Sequence, residues 1–426
     1  MRVTDRIAVI GAGWAGMAAA VELASRGRTV DVYEASRTLG GRARAAEGSG
    51  LAVDNGQHIL IGAYRDSLRL MRTVGADPDR LLLRTPLRLE FPGEFRLSAP
   101  RLPAPFHTAA ALLGAHGIDW REKWAAIRLM RGLQAAGFRV EPDCTVAAWL
   151  ERHAVPSRQR RLLWEPLCVA ALNTPAELAS AQVMANVLRD SLAANREASD
   201  LLLPRADLST LFPEPAARFV ESRGGRVFRG GRIGPLTQTT DGWQLAPEQP
   251  AYPVVVLAVA PYHLPALLPT LADAVAPFVW EPIFTTYLAY PAGVRLPRPM
   301  LGVADGVAQW LFDRGTLCGQ QGVLAAVISA RGRHLALSVE ELERRIHGEI
   351  AALLPGLPAP GRTLTITEKR ASFSCTPGLR RPTATAGPAG IVLAGDYVAG
   401  EYPATLEGAV RSGIAAARLA EQATRR

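Results

Sequence analysis

The N-terminal segment constrains the fold of this chain more than any other part of the sequence. An apolar run over residues 6–10 leads into Gly-Ala-Gly-Trp-Ala-Gly at positions 11–16, and a second apolar run ends at Glu34. In a dinucleotide-binding βαβ unit, the first glycine permits the turn and the second lets a pyrophosphate approach the backbone. The third lets the helix pack on the strand. The spacing therefore predicts such a unit, with a helix that ends near Gly27.

The residues around the end of the second strand indicate which dinucleotide is bound. A carboxylate at Glu34 accepts hydrogen bonds from both ribose hydroxyls and repels a 2′-phosphate, which disfavours NADP. Leu39-Gly40-Gly41-Arg42 adds a glycine turn and an arginine, and these supply more donors to a pyrophosphate than NAD enzymes generally need. The combination resembles the flavoprotein superfamily of amine oxidases and carotenoid desaturases, and this resemblance implies FAD.

A second signal for the same cofactor lies near the C-terminus. Residues 391–395 read as a buried strand that ends before Asp396, which we expect to bind a hydroxyl of the ribityl chain. Residues 402–410 begin a helix, with Pro403 suited to its start and Gly413 to close packing. In the resembling superfamily this helix points its N-terminus at the flavin, where its dipole stabilises the anionic reduced form.

Composition excludes several other classes of protein. The chain has 426 residues, of which 48% are hydrophobic and 20% charged, as in a globular protein with a large core. Its four cysteines show no paired spacing, so neither a disulfide framework nor a metal site is predicted. The net charge is +9, but the arginines are mostly scattered and no nucleic-acid-binding module is visible. Attraction of this charge to anionic membrane lipid stays open.

The sequence predicts no targeting segment and no membrane span. Residues 1–5 lead directly into the first strand, so we expect no signal peptide. The longest uncharged run, residues 252–271, is interrupted by prolines and reads as a strand, a turn and a short helix. We expect a cytoplasmic protein in a reducing compartment, with peripheral contact at the inner face of the membrane as the open alternative.

The order of these signals predicts an α/β fold with a discontinuous cofactor domain. We expect a Rossmann-like FAD-binding domain at residues 1–89, 216–274 and 366–426, and an inserted substrate domain of mixed sheet and helices at residues 90–215 and 275–365. Within the former, residues 224–228 and 231–233 are predicted as strands that pass the adenine, and residues 254–260 as a buried strand.

Further strings narrow the resemblance to one family. Residues 53–58, 164–174, 309–314, 374–378 and 396–407 are, in this order and spacing, similar to hydroxysqualene dehydroxylases, flavoproteins of bacterial hopanoid pathways. The resemblance implies reduction of an apolar C30 isoprenoid alcohol to squalene by noncovalent FAD, with NAD(P)H or a reductase as electron donor. An oxidative desaturase or amine oxidase on the same scaffold is the alternative. A flavin-binding protein without turnover is the third possibility.

Reduction of an allylic alcohol requires a donor to the leaving hydroxyl and a dry, apolar cavity. His58, by analogy near the flavin, and Tyr402, just before the flavin-facing helix, are the catalytic candidates; loop orientation and ordinary packing are their structural alternatives. Asp313 and Arg314 are expected to form a structural pair. The predicted cofactor-binding residues are Gly11, Gly13, Trp14, Ala15, Gly16, Glu34, Gly40, Gly41, Arg42, Gly56, Gln57, His58, Ile233 (through its backbone), Gly395, Asp396, Ala404, Thr405 and Leu406.

Overall fold

The computed structural model describes residues 6–247 and 249–424; residues 1–5, on which the signal-peptide prediction rests, lie outside the described residues. The strands, in chain order, are β1 (Arg6–Ile10), β2 (Thr29–Glu34), β3 (Ala45–Gly48), β4 (Leu51–Asp54), β5 (Leu60–Ile61), β6 (Leu82–Thr85), β7 (Arg88–Phe91), β8 (Phe95–Ser98), β9 (Leu201–Pro204), β10 (Arg226–Arg229), β11 (Thr237–Thr239), β12 (Gly242–Gln244), β13 (Val254–Leu257), β14 (Trp280–Ala289), β15 (Met300–Gly302), β16 (Trp310–Asp313), β17 (Val323–Ser329), β18 (Arg362–Phe373) and β19 (Ile391–Leu393).

The α-helices lie between these strands, except for the last helix, which follows the last strand. They are α1 (Trp14–Ser25), α2 (Arg65–Thr73), α3 (Pro78–Leu81), α4 (Phe106–Leu113), α5 (Trp120–Ala135), α6 (Val146–Arg152), α7 (Ser157–Gln159), α8 (Glu165–Leu172), α9 (Ala181–Leu188), α10 (Leu208–Leu211), α11 (Pro213–Ser222), α12 (Leu264–Leu267), α13 (Ala272–Val275), α14 (Arg314–Cys318), α15 (Val339–Leu353) and α16 (Leu406–Ala423). A π-helical turn, Arg160–Trp164, joins α7 and α8 into one run.

A parallel sheet with the strand order β10-β2-β1-β13-β19 forms the first layer. The two strands nearest its centre, β1 and β13, are almost entirely apolar because both faces of the sheet are covered. On β1, Ile7 and Val9 belong to the core that includes α1 and α16, whereas Ala8 and Ile10 belong to the core on the other face. Gly413 permits the close approach of α16 to α1, since a Cβ there would lie 2.1 Å from the Ala15 carbonyl oxygen.

A separate antiparallel sheet with the order β15-β16-β17-β14-β18 forms the second layer. Alternate residues of its strands face opposite sides. Leu324 and Ala326 of β17 pack with Ile346 of α15, whereas Ala325 and Val327 belong to the large core that extends to the parallel sheet. The face of the antiparallel sheet that carries Ala325 and Val327 therefore packs toward the parallel sheet.

The predicted fold class is confirmed: a Rossmann-like parallel sheet accompanies a separate antiparallel sheet with helices. Several predicted bounds are wrong. Residues 231–233 form no strand, and the strand predicted at 254–260 ends at Leu257. The last helix begins at Leu406, because Thr405 rather than Pro403 provides its N-cap. The division into two domains stays a prediction, and its proposed bounds fall inside β7, α11, α13 and β18.

No helix in the part of the chain that the structure describes is both long enough and apolar enough to cross a membrane.

Candidate functional site

A cavity of about 690 Å³ is lined by residues of both sheets. This volume lies in the usual range for small-molecule and cofactor sites. Every predicted cofactor-binding residue except Gly16 lines it, although these residues come from five separate segments of the chain. The structure therefore brings the N-terminal and C-terminal motifs together, as expected if they serve one ligand.

The glycines of the first turn shape the backbone at one end of the cavity. Gly11 has φ +102°, and a Cβ there would lie 2.6 Å from the Ala258 carbonyl oxygen. A Cβ on Gly16 would lie 1.9 Å from the Gly11 carbonyl oxygen, so Gly16 serves helix packing and not the cavity wall. Gly13 pairs with Gly40 of the second glycine turn through a parallel bridge. The two turns thus form one bare backbone surface.

Glu34 holds the adjoining loops in place. Its carboxylate accepts hydrogen bonds from the backbone N–H of Ala12 at 2.7 Å and of Ser36 at 2.8 Å. Next to it, Tyr33 stacks on Phe228 with 4.8 Å between ring centroids. The carboxylate lies in the cavity wall at the end of β2, as the ribose-binding prediction requires.

Arg42 and Asp396 form an ion pair in the cavity wall. The Arg42 guanidinium donates to the Asp396 carboxylate at 2.7 Å and to the Ala371 carbonyl at 2.8 Å. Burial opposes the charge of Arg42, but Asp396 outweighs it and raises the pKa of the guanidinium. The pair connects the second glycine turn with the end of β19. The predicted contacts of Arg42 with the pyrophosphate and of Asp396 with the ribityl chain stay predictions.

His58 lies in the cavity wall and is oriented by its own loop. Its Nδ1 lies 2.8 Å from the Gly56 carbonyl oxygen, which can only accept a hydrogen bond, so Nδ1 carries the proton. Burial lowers the pKa of His58, as does the nearby Arg42 charge. A neutral imidazole in this tautomer presents Nε2 as an acceptor. His58 is thus better suited to accept a hydrogen bond than to donate a proton.

Tyr402 is placed differently from the prediction and does not line the cavity. Its hydroxyl donates to Asp190 at 2.8 Å, and Arg411 lies 4.7 Å from the centre of its ring. The structure therefore gives no support to a catalytic role for Tyr402, because its hydroxyl is directed to a carboxylate on another helical segment. It ties the start of α16 to residues 189–193.

The N-terminus of α16 does reach the cavity. Ala404, Thr405 and Leu406 line it, and the Thr405 hydroxyl caps the helix by accepting from the Gly408 N–H at 3.1 Å. Glu407, the acidic residue of the first turn, is directed elsewhere and accepts a hydrogen bond from the Ser67 hydroxyl at 2.7 Å. The positive end of the helix dipole therefore faces the cavity without a neighbouring carboxylate from its own first turn.

Part of the cavity wall, which we call the apolar end, is formed mostly by apolar side chains of the antiparallel sheet and α8, although these elements also contribute Asn173, Ser329, Glu368 and Ser372. The antiparallel sheet contributes two large aromatic side chains, Trp310 and Phe312, and α8 contributes small apolar ones. The residues that form this apolar end are Ile59, Val169, Ala170, Ala171, Ile283, Trp310, Phe312 and Val327. Sequence reasoning quoted some of these residues for the family resemblance but gave none of them a role in the site, because their shared direction depends on how the elements pack.

The polar residues that line the cavity outside the predicted set include Tyr397 and Asn173. Tyr397 is 1% exposed, and its hydroxyl has no hydrogen-bond partner among the residues that the structure describes. Burial raises its pKa. Asn173 ends α8 with φ +46°, donates to the Ser372 hydroxyl at 2.8 Å and accepts from the Ala330 N–H at 2.7 Å. Both lie in strings quoted for the family resemblance, which was the available signal.

Arg314 supports the loop that carries Gln57 and His58. It donates to the Gln57 side-chain oxygen at 3.0 Å and lies 3.6 Å from the Asp54 carboxylate. Burial raises the pKa of Asp54 to about 6, and the hydrogen bond from the Leu208 N–H and the charge of Arg314 oppose it only in part. The expected pairing of Arg314 with Asp313 is wrong, because Asp313 instead caps α14 and binds backbone N–H groups.

Comparison with known proteins gives a consistent result. The family model for flavin containing amine oxidoreductase matches residues 14–420. The hydroxysqualene dehydroxylase of Rhodopseudomonas palustris is 32% identical over 98% of this chain and 98% of its own length. A zeta-carotene desaturase of Synechocystis is 26% identical over 98% of each chain.

A solved structure extends the similarity to the fold. Cyclohexylamine oxidase from Brevibacterium oxydans superposes with a TM-score of 0.72 at 19% identity, covering 99% of this chain and 100% of the other. At this identity the comparison bears on the fold alone.

Proposed function

Because the chain belongs to the flavin containing amine oxidoreductase family and, within it, to the hydroxysqualene dehydroxylases, we propose that it reduces hydroxysqualene, an allylic C30 alcohol, to squalene in hopanoid biosynthesis. The observation that carries the proposal is the similarity to such an enzyme over nearly the whole of both chains. The cavity agrees with it, since one space joins the glycine turns to an apolar end that suits a hydrocarbon.

The chain is an FAD-dependent oxidoreductase, and the cavity wall fits that cofactor. The bare backbone at Gly13 and Gly41 can approach a pyrophosphate, Glu34 can accept from ribose hydroxyls, and the α16 N-terminus suits an anionic ring edge. We propose that FAD is held without a covalent bond. Cys375 lies outside the cavity wall, and burial raises the pKa of its thiol to about 12, which keeps it unreactive.

In the overall reaction, bound FADH2 would supply one hydride to the allylic carbon and one proton to the hydroxyl, so that the C–O bond breaks and the oxygen leaves as water. The chain must therefore stabilise the departing oxygen and exclude water. Tyr397 is our candidate for the first task, because its raised pKa keeps the phenol a neutral donor and its hydroxyl has no hydrogen-bond partner among the described residues. That oxygen is sealed from water, so the side chain must shift for the hydroxyl to reach a ligand. We assign it the hydrogen bond to the leaving oxygen.

His58 suits the complementary contact. With Nδ1 bound to the Gly56 carbonyl, Nε2 is left to accept the hydrogen of the substrate hydroxyl. A donor at Tyr397 and an acceptor at His58 together would fix the orientation of the hydroxyl. Arg314 acts on this contact indirectly, as a positioning residue that holds Gln57.

Two partners complete the proposal. The oxidised flavin must be reduced again after each turnover, and we assign this to NAD(P)H or a reductase. The apolar substrate dissolves in the bilayer, so we also propose that the protein works at the inner face of the membrane as a peripheral protein. The net charge of +9 favours contact with anionic lipid.

Anaerobic single turnover tests the proposed reaction. The purified flavoprotein is reduced and mixed with hydroxysqualene in detergent micelles; we expect flavin reoxidation with squalene formed in equal amount, measured by absorbance and mass spectrometry. Squalene in place of hydroxysqualene is the control and leaves the flavin reduced. A flavin that stays reduced with hydroxysqualene contradicts the proposal.

A second candidate, oxidative isoprenoid desaturation, is favoured by the similarity to a zeta-carotene desaturase. The direction of electron flow separates the two functions. Two results together would favour the second function over the first. The oxidised protein would take electrons from a polyene, and the reduced protein would not react with hydroxysqualene.

A further inference from the structure

Helices α4 and α5 expose large apolar side chains where a water-soluble surface would carry polar ones. Phe106 is 65% exposed, Trp120 58%, Trp124 50% and Leu113 41%. We call these four residues the aromatic surface. Single exposed apolar residues need no explanation, but a contiguous group marks an interaction site.

The four side chains belong to one surface. The Trp120 and Trp124 rings meet edge to face with 5.9 Å between their centroids. The Lys123 ammonium donates to the Leu113 carbonyl at 2.7 Å, which fixes the start of α5 beside the end of α4. Phe106 and Leu113 are seven residues apart, so they lie on the same face of α4.

Cations flank the apolar side chains. Arg121 is exposed beside the tryptophans, and Arg128 and Arg131 continue the exposed face of α5 at helical spacing from Trp124. The nearby carboxylates Asp119 and Glu122 are engaged with each other's backbone in a capping box. A helix face with tryptophan at its centre and arginine around it is typical of elements that lie in a membrane interface.

From this arrangement we infer that the aromatic surface inserts into the headgroup region of an anionic phospholipid bilayer. The inference rests on the proposed function in one respect, because a C30 alcohol is delivered from the bilayer. The aromatic side chains would enter the acyl boundary while Arg121 and Arg128 bind lipid phosphates.

The surface is also connected to the apolar end of the cavity. The Gln159 side chain is fully buried and donates to the Glu122 carbonyl of α5 at 2.7 Å. From Gln159 a continuous helical run leads through residues 160–164 to α8, whose Val169 and Ala171 line the cavity. The helix α5, which would contact lipid, thus packs directly against the helical run that forms part of the proposed substrate-binding wall.

Vesicle flotation tests the inference with the full-length flavoprotein. We expect binding to vesicles of phosphatidylglycerol and phosphatidylethanolamine, little binding to phosphatidylcholine, and weaker binding at high salt. The double variant Trp120→Ser and Trp124→Ser should bind about tenfold more weakly. Leu335→Ser is the matched control, since Leu335 is 53% exposed on another element, and it should bind like wild type.

Tryptophan fluorescence gives a second readout. Among the described tryptophans, only Trp120 and Trp124 are largely exposed to solvent. The fluorescence emission of the wild-type protein should therefore shift to shorter wavelength on vesicle binding, and that of the double variant should not. The variant Arg121→Glu and Arg128→Glu should lose the preference for anionic lipid. Equal vesicle binding by wild type and the tryptophan variant would overturn the inference.

Turnover in detergent separates this inference from the proposed function. The double variant should convert hydroxysqualene in micelles at the wild-type rate. If the wild-type protein converts hydroxysqualene but does not bind anionic vesicles, only the membrane contact is contradicted. If it binds the vesicles but does not convert hydroxysqualene, only the proposed function is contradicted. Sedimentation that shows a dimer dissociated by the tryptophan substitutions would identify a second copy as the occupant and overturn the inference.

Discussion

At the scale of single residues, two tyrosines a few positions apart have different surroundings. Tyr397 is buried in the cavity wall with a hydroxyl that has no partner among the described residues, whereas the Tyr402 hydroxyl binds Asp190. Gly395 makes the Tyr397 position possible, because a Cβ there would lie 2.3 Å from the Tyr397 ring. A chemical role therefore follows from the position of each hydroxyl and not from the residue type.

The variant Tyr397→Phe should retain FAD and lower kcat for hydroxysqualene reduction by about 100-fold, because it removes a hydrogen-bond donor to the leaving oxygen. Tyr402→Phe is the matched control. It should leave kcat within about twofold and lower the free energy of unfolding by about 1 kcal/mol, since it removes only the bond to Asp190. Stopped-flow flavin reoxidation and thermal melts measure both. Equal kcat in the two variants would remove Tyr397 from the mechanism.

At the scale of secondary-structure elements, the contact of α1 with α16 joins the two ends of the chain. Gly413 lies against the Ala15 backbone, and both helices also present residues of their first turns to the cavity. Any displacement of α16 would therefore move Thr405 and Leu406 relative to the glycine turn at Gly13.

The variant Gly413→Ala should lower the free energy of unfolding by about 2 kcal/mol, because overpacking forces the helices apart. It should also weaken FAD retention on dilution. Gly348→Ala in α15 is the control, since a Cβ there meets nothing within 4 Å. This variant should raise the free energy of unfolding by up to about 1 kcal/mol, because alanine favours a helix more than glycine does. Denaturant titrations and flavin fluorescence measure the two effects. A Gly413→Ala protein as stable as wild type would contradict this account of the packing.

At the scale of the whole molecule, one carboxylate joins distant segments beneath the cofactor site. Asp31 on β2 is fully buried and accepts hydrogen bonds from Arg226 at 2.8 Å and Tyr252 at 2.8 Å, and it also pairs with Arg6. Burial alone would raise its pKa, but the bonds from Arg226, Arg6 and Tyr252 outweigh burial and lower it to about 2.

This shift predicts a pH-dependent stability. The pKa of Asp31 is lower in the folded than in the unfolded chain, where it is about 4, so its contribution is complete above about pH 4 and is lost as the pH falls toward about 2. Asp31→Asn should lower the free energy of unfolding by about 2 kcal/mol at pH 7, and the difference from wild type should shrink below about pH 4. Urea titrations across this range measure it. Asp305→Asn, which removes an exposed ion pair, is the control and should change the free energy of unfolding little. If the difference between Asp31→Asn and wild type did not depend on pH, the lowered pKa of Asp31 would be contradicted.

The sequence by itself determined the features that depend on backbone sterics and local chemistry. The glycines at positions 11, 13 and 16, Glu34, the Gly40-Gly41-Arg42 turn and the strand before Asp396 predicted the parallel sheet and the FAD-type site, because each needs only its immediate neighbours. The family followed from strings spread along nearly the whole chain.

Only the tertiary structure decided which side chains share a space. The bond of Tyr402 to Asp190 and the contact of Arg314 with Asp54 depend on how segments distant in the chain pack together, and no local pattern encodes that packing. This is also true of the Tyr397 hydroxyl, which has no partner among the described residues. The same holds for Trp120 and Trp124: a helical pattern gives their common face, but only packing of the rest of the molecule determines that this face stays uncovered.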